Sequence, residues 1–126
     1  MNEAEAYQKG LEVRERIWGP AANERLQRYR DVHPEFARLL TQYLFGEVWT
    51  RQELPLRSRS LCTMAILTAL NRAPELAIHI RGALRLGIPR EEITELIVHT
   101  GFYAGIPVAV EGLKTAMQVF DEETTG

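Results

Sequence analysis

Along much of this chain, apolar residues recur every three or four positions, the period of an α-helix that buries one face. Phe36, Leu39, Leu40, Tyr43, Leu44 and Val48 trace one such face. Ile93, Leu96, Ile97 and Thr100 trace a second, and Ala109, Leu113, Ala116, Met117 and Phe120 a third. Residues 61–70 are apolar nearly all round, which predicts a central helix covered by neighbours on every side and a buried, inert thiol at Cys62. Pro20, Pro34, Pro55, Pro74, Pro89 and Pro107 each fall where a helical pattern starts afresh, as suits a residue with no N–H to donate. No run of alternating β-branched residues and no Asn-Gly or Asp-Gly turn suggests a hairpin. The pattern therefore predicts an all-α, single-domain bundle of six or seven helices, with a polar tail over 121–126 that frays.

Length and charge narrow the function classes. A chain of 126 residues is the size of one ordinary domain and buries roughly two-thirds of its surface on folding. Fifteen basic residues against seventeen acidic ones give a net charge of −2, the wrong balance for a protein that works by neutralising phosphates. No apolar run approaches the roughly 20 residues of a membrane span, and the first ten residues lack the apolar stretch of a signal peptide. The expectation is a cytoplasmic protein with neither a nucleic-acid nor a membrane partner. Cys62 is the only cysteine, so an intramolecular disulfide, a CxxC redox pair and a multi-cysteine zinc site are all excluded. Thirteen of the fifteen basic residues are arginine, whose planar fork holds carboxylates better than an ammonium does.

Four features carry candidate chemistry. Arg57 and Arg59 stand at the start of the apolar helix, where positive charge opposes the helix dipole and an anionic ligand would offset that cost. Glu75 with His79, and Glu95 with His99, are pairs four residues apart on a helix face. Such a pair is either a solvent-exposed ion pair or a proton donor with an orienting carboxylate. The second pair belongs to a longer polar stripe, Glu92, Glu95, His99 and Tyr103, beside the apolar Ile93, Leu96 and Ile97. Finally, Tyr103-Ala104-Gly105-Ile106-Pro107 reads as a tight corner between two helices, with Gly105 supplying the turn. His33, in a turn before Pro34, reads as a bystander. Metal-binding helical bundles place histidine three residues after glutamate, whereas the spacing here is four, and no metal site is expected.

Taken in order, these motifs are similar to those of the carboxymuconolactone decarboxylase family. The resemblance runs through Gly46-Glu47-Val48-Trp49-Thr50-Arg51, Arg57-Ser58-Arg59-Ser60-Leu61, Glu75-Leu76 with His79, and Gly87. It continues through Glu91-Glu92-Ile93 with Glu95 and His99, and ends on Tyr103-Ala104-Gly105-Ile106-Pro107. It covers residues 43–120 well and 1–42 loosely. It implies the all-helical fold shared with the alkylhydroperoxidase D branch, assembled as a ring-like homo-oligomer, a hexamer with the trimer as minimal unit. In that redox branch a CxxC precedes the histidine. Arg72 and Glu75 occupy the two cysteine positions here, and His79 matches the histidine, so thiol peroxidase chemistry is unavailable. Two departures stand out: Val110 where members acting on the lactone carry asparagine, and Phe45 where tryptophan is common.

The activity implied is decarboxylation of 4-carboxymuconolactone to 3-oxoadipate enol-lactone, in the breakdown of aromatic compounds. No cofactor is implied, because the substrate's own unsaturated ring accepts the electrons. The resemblance gives His79 or His99 as proton donor, Glu75 and Glu95 as orienting partners, and Arg57, Arg59 and Tyr103 as the contacts to a small carboxylate or lactone substrate. Two alternatives accompany this reading: a relative acting on another small acid or lactone, and a non-catalytic assembly module.

Overall fold

A computed structural model describes residues 1–125. Its described residues form seven α-helices and one π-helical segment, without strands. They gather into two compact units, Met1–Leu56 and Arg57–Gly126.

In the first unit, α1 (Glu3–Trp18) opens on Asn2, whose side chain accepts the Glu5 N–H at 2.8 Å and donates to the Glu5 carboxylate at 2.9 Å. The first of these bonds satisfies a backbone N–H that a helix start leaves open, and the second holds the two side chains together. α1 stops at Gly19, at φ +64°, and α2 (Ala21–Val32) begins at once. His33 then caps α3 (Pro34–Arg38), its Nδ1 accepting the Phe36 N–H at 3.0 Å. The bystander histidine thus has a structural task, and that bond places its ring proton on Nε2.

From Leu39 to Val48 the helix widens to π winding, with the Trp49 N–H reaching back five residues to the Leu44 carbonyl at 2.9 Å. The face expected to be buried here is not the one that packs. Phe36, Leu39 and Tyr43 are exposed, while Ala37, Thr41, Gln42, Phe45, Gly46 and Trp49 are buried. The reason lies in how closely this segment approaches α1. A Cβ at Gly10 would sit 1.7 Å from the Thr41 carbonyl oxygen, and one at Gly46 would sit 2.0 Å from that of Ala6. The face that carries Gly46 wins because it lets two backbones touch, and Phe45 and Trp49 pack beside that contact while Phe36, Leu39 and Tyr43 are turned outward.

The second unit contains α4 (Leu56–Ala69), α5 (Ala73–Arg85), α6 (Arg90–Ala104) and α7 (Ile106–Thr125). Both α5 and α6 pack on α7. The core includes Met64, Leu76, Ile80, Ile93, Ile97 and Val119, all fully buried. Gly112 admits α7 to this core, since a Cβ there would meet the side chains of Ile97 at 2.8 Å and Thr68 at 3.1 Å. On α6 the predicted face is the observed one, with Ile93, Ile97 and Thr100 buried and Leu96 against the core.

α4 departs from expectation. Ser60, Met64 and Thr68 are buried, but Cys62, Ile66 and Leu70 lie exposed along the opposite side, so the helix is covered on one side only and the thiol is accessible within the single chain. An all-round apolar helix demands cover, but the sequence does not say whether that cover comes from the same chain. At the other end, helix continues through Thr125, where a frayed tail was expected from residue 121 on, and Gly126 lies outside the described residues. Arg81 of α5 grips the Glu122 carboxylate with two hydrogen bonds of 3.1 and 3.2 Å, and Arg90 stacks over the Phe120 ring.

Candidate functional site

The nominated residues occupy three helices of the second unit. Arg57 and Arg59 stand in the first turn of α4, Glu75 and His79 on α5, and Glu92, Glu95, His99 and Tyr103 on α6. α6 and α7 join at Gly105, whose φ of +117° closes α6, and Pro107 follows inside the first turn of α7. Only glycine takes that backbone conformation at little cost, which is why the corner carries it. The turn leaves the last α6 side chains, His99 and Tyr103, at the exposed edge of the bundle.

Direct contacts among these residues include an ion pair and a ring contact. Arg57 forms an ion pair with Glu92, tying the start of α4 to the first turn of α6. The cation at the head of α4 is therefore already answered by a carboxylate from the same unit. Glu92 accordingly turns toward α4. His99 lies against Tyr103, ring centroids 5.1 Å apart and tilted by 42°. The imidazole and the phenol thus share one surface, one helical turn apart.

The two arginines do not act as one clamp. Arg59 is half-buried, and its Nε is enclosed without a hydrogen-bond partner among the described residues. A donor in that state is available to an incoming acceptor.

Glu75 takes a hydrogen bond from Arg72 at 2.8 Å. Sequence reasoning read Arg72 only as a lost cysteine, yet the Arg72-x-x-Glu75 spacing is itself a signal for such a pair. The Arg72 hydrogen bond holds the Glu75 carboxyl below its ordinary value of 4.5. A carboxyl depressed on folding adds stability that is present above the unfolded value and lost as pH falls through the folded one. Thermal unfolding from pH 6 down to pH 3 is expected to show a shallower acid-side loss of stability in Glu75→Gln than in the natural protein. Identical pH profiles would show that the pair contributes nothing.

Among the described residues, no three histidine, cysteine or carboxylate side chains converge as a metal-ligand set. A shallow groove beside Thr68, Arg72, Leu76 and Gly112 is too tight to enclose a water molecule, and none of the nominated residues lines it. The surface that bears His99 and Tyr103 is open, with Tyr103 84% exposed.

The first unit holds a group that sequence reasoning passed over. Arg14 is 4% exposed, with its guanidinium 5.6 Å from the Trp18 ring centre and 5.2 Å from that of Phe45. The one-turn spacing of Arg14 and Trp18 was a readable sign of the first contact.

Comparison with known proteins adds the following. The model of the family described as "Carboxymuconolactone decarboxylase family" matches residues 34–118. A protein named 4-carboxymuconolactone decarboxylase from Acinetobacter baylyi is 37% identical over 123 residues, 97% of this chain and 92% of that relative. A nitrosuccinic acid decarboxylase from Metarhizium robertsii is 29% identical over 120 residues, 92% of this chain and 82% of that relative.

Proposed function

This chain belongs to the carboxymuconolactone decarboxylase family, and from that premise we propose that it decarboxylates 4-carboxymuconolactone to 3-oxoadipate enol-lactone. The observation that carries the proposal is the 37% identity to a 4-carboxymuconolactone decarboxylase, extending over nearly the whole of both chains. The second decarboxylase among its relatives supports the reaction type, loss of CO₂ from a small acid.

The chemistry asks little of a protein. When the C–C bond to the ring carboxylate breaks, its electron pair passes through the ring double bond to the lactone carbonyl and forms a dienolate. The substrate is its own electron sink. The protein must orient it, stabilise the developing enolate oxygen and deliver a proton to the ring carbon next to the carbonyl.

In our reading His99 or His79 delivers that proton, and Glu95 and Glu75 orient the two imidazoles. Tyr103, stacked on His99, contacts the lactone. Arg59, with its enclosed and unpartnered Nε, holds the substrate's other carboxylate, the acetate. Arg57 is engaged by Glu92 and positions α4 against α6. A cation on the departing carboxylate would stabilise the ground state more than the transition state, so that group belongs against an apolar wall.

We also propose that the protein works in the cytoplasm as a homo-oligomer, a hexamer or its trimeric unit. Two features support the assembly: the exposed side of α4 at Cys62, Ile66 and Leu70, and the exposed apolar corner at Phe102, Tyr103 and Ile106. No helix among the described residues is long and apolar enough to cross a membrane. Light scattering on the eluting protein is expected to give three or six times the chain mass, and a monomer would overturn the assembly.

The activity is tested by turnover. The lactone is generated in place by a cycloisomerase, the purified protein is added with and without chelator, and CO₂ and enol-lactone are followed. Protein-dependent release that is insensitive to chelator is expected. Release no faster than the spontaneous rate, from folded protein, would overturn the substrate assignment and point first to Val110 as the departure that changed it.

A further inference from the structure

The geometry points to a second anion site, in the first unit, where Arg14 receives a small carboxylate on the fork edge of its guanidinium. Arg14 lies outside residues 34–118, the part matched by the family model, and the inference does not depend on the proposed reaction.

The argument begins with an imbalance. Arg14 is 4% exposed, and arginine is almost never so deeply buried unless paired. A terminal nitrogen makes one long bond, 3.4 Å to the Ala22 carbonyl, and the Arg14 Nε is enclosed without an acceptor among the described residues. The Trp18 and Phe45 rings, set edge to face at 80° to each other, both lie against the guanidinium carbon and offer it no oxygen acceptor. What remains is an edge, Nε–H beside a terminal N–H, and that edge matches the two oxygens of a carboxylate.

The surrounding charges sharpen the case. Arg25 stacks over the same Trp18 ring, 5.1 Å from its centre, so two guanidiniums lie on one indole. The titratable neighbours felt by Arg14 are the cations Arg25 and Arg30, which lower its pKa, and the phenols Tyr29 and Tyr7, which raise it, and no carboxylate is among them. Burial first, then Arg25, lowers the Arg14 pKa to about 10. Arg30 is itself bonded to the Tyr7 hydroxyl and sits over its ring. A buried cation near two others is costly unless an anion shares the space.

The class of anion follows from the shape of the site. The donor set is a planar fork beside aromatic rings, without the ring of donors that tetrahedral phosphate favours, and the first turn of α2 presents the Ala22 carbonyl to Arg14. A carboxylate borne on an apolar or unsaturated framework fits both the fork and the Trp18–Phe45 pair, whose rings meet edge to face at 5.5 Å.

The test follows the Arg14 Nε–H resonance in the full-length protein, assigned by its loss in Arg14→Lys. The probes are sodium acetate and sodium succinate, with sodium chloride at matched ionic strength and inorganic phosphate as controls. The resonance is expected to move saturably with acetate and succinate, and to be unmoved by chloride. In Arg14→Met, the stabilisation of the folded protein by succinate should weaken at least roughly tenfold in concentration, because the bidentate pair is gone. The melting temperature of that variant without succinate should not fall, since an uncompensated buried charge has been removed. A resonance unmoved by carboxylates overturns the site, as does one that phosphate moves more strongly. A resonance that shifts only with protein concentration overturns it too, by assigning the anion to a second copy of the chain. The wild-type titration decides even if a variant fails to fold.

Discussion

Replacing Gly10 or Gly46 by alanine is expected to destabilise the first unit by about 3 kcal/mol or more, the upper end for overpacking a closely packed contact. The added methyl group would lie 1.7 Å from the Thr41 carbonyl oxygen in one case and 2.0 Å from that of Ala6 in the other. No rotamer change relieves either clash, because both partners are backbone. The two helices must part, and the packing around Ala6, Ile17, Phe45 and Trp49 opens with them. Denaturant unfolding checks this, with Gly87→Ala as the comparison. Nothing lies within 4 Å of a Cβ at Gly87, so that variant carries only the strain of its φ, +88°. A loss at Gly10 or Gly46 no greater than at Gly87 would show that the close crossing of α1 and the π-helical segment does not exist in solution.

The second large effect concerns the proton. Changing His79 and His99 together to glutamine is expected to lower kcat for the lactone by about 10²–10⁴, the usual contribution of a positioned general acid. His99 is exposed, so its single replacement should leave the melting temperature nearly unchanged and the loss in that variant can be read as chemistry. The single variants then assign the donor. The variant that matches the double is the donor, and the other is a positioning residue. A double variant that keeps more than about a tenth of the activity, less than 1.4 kcal/mol in barrier, would mean that the proton comes from solvent and that the stripe on α6 has another task.

Helix existence and type were legible in the sequence because the three-and-four apolar rhythm and the prolines are local signals. α6 shows this best: its buried face, Ile93, Ile97 and Thr100, is the predicted one, and its glycine corner closes with the positive φ that Gly105 was expected to supply. The family was legible as well, since the order of motifs from Gly46 to Pro107 lies within the residues the family model matches. The sequence nominates candidate site residues one by one but does not say which of them pair. Arg57 and Glu92 are far apart in sequence, and nothing local announces that they form a pair.

What only the tertiary structure decided is which of two possible faces a helix presents, and which charges meet. The face of the π-helical segment differs from the expected one because the apolar rhythm takes no account of glycine, whereas the contact at Gly10 and Gly46 depends on the absence of side chains. The cover on α4 was misjudged because a hydrophobic pattern reports that a surface needs burial without saying by what. Arg14 was passed over because the sequence shows a charge and a nearby tryptophan, whereas its burial and its missing carboxylate are properties of the folded neighbourhood. Periodicity and caps act within about one helical turn, so the sequence determined the elements and the family. Close approach and charge balance act between segments distant along the chain, and those only the packed fold decides.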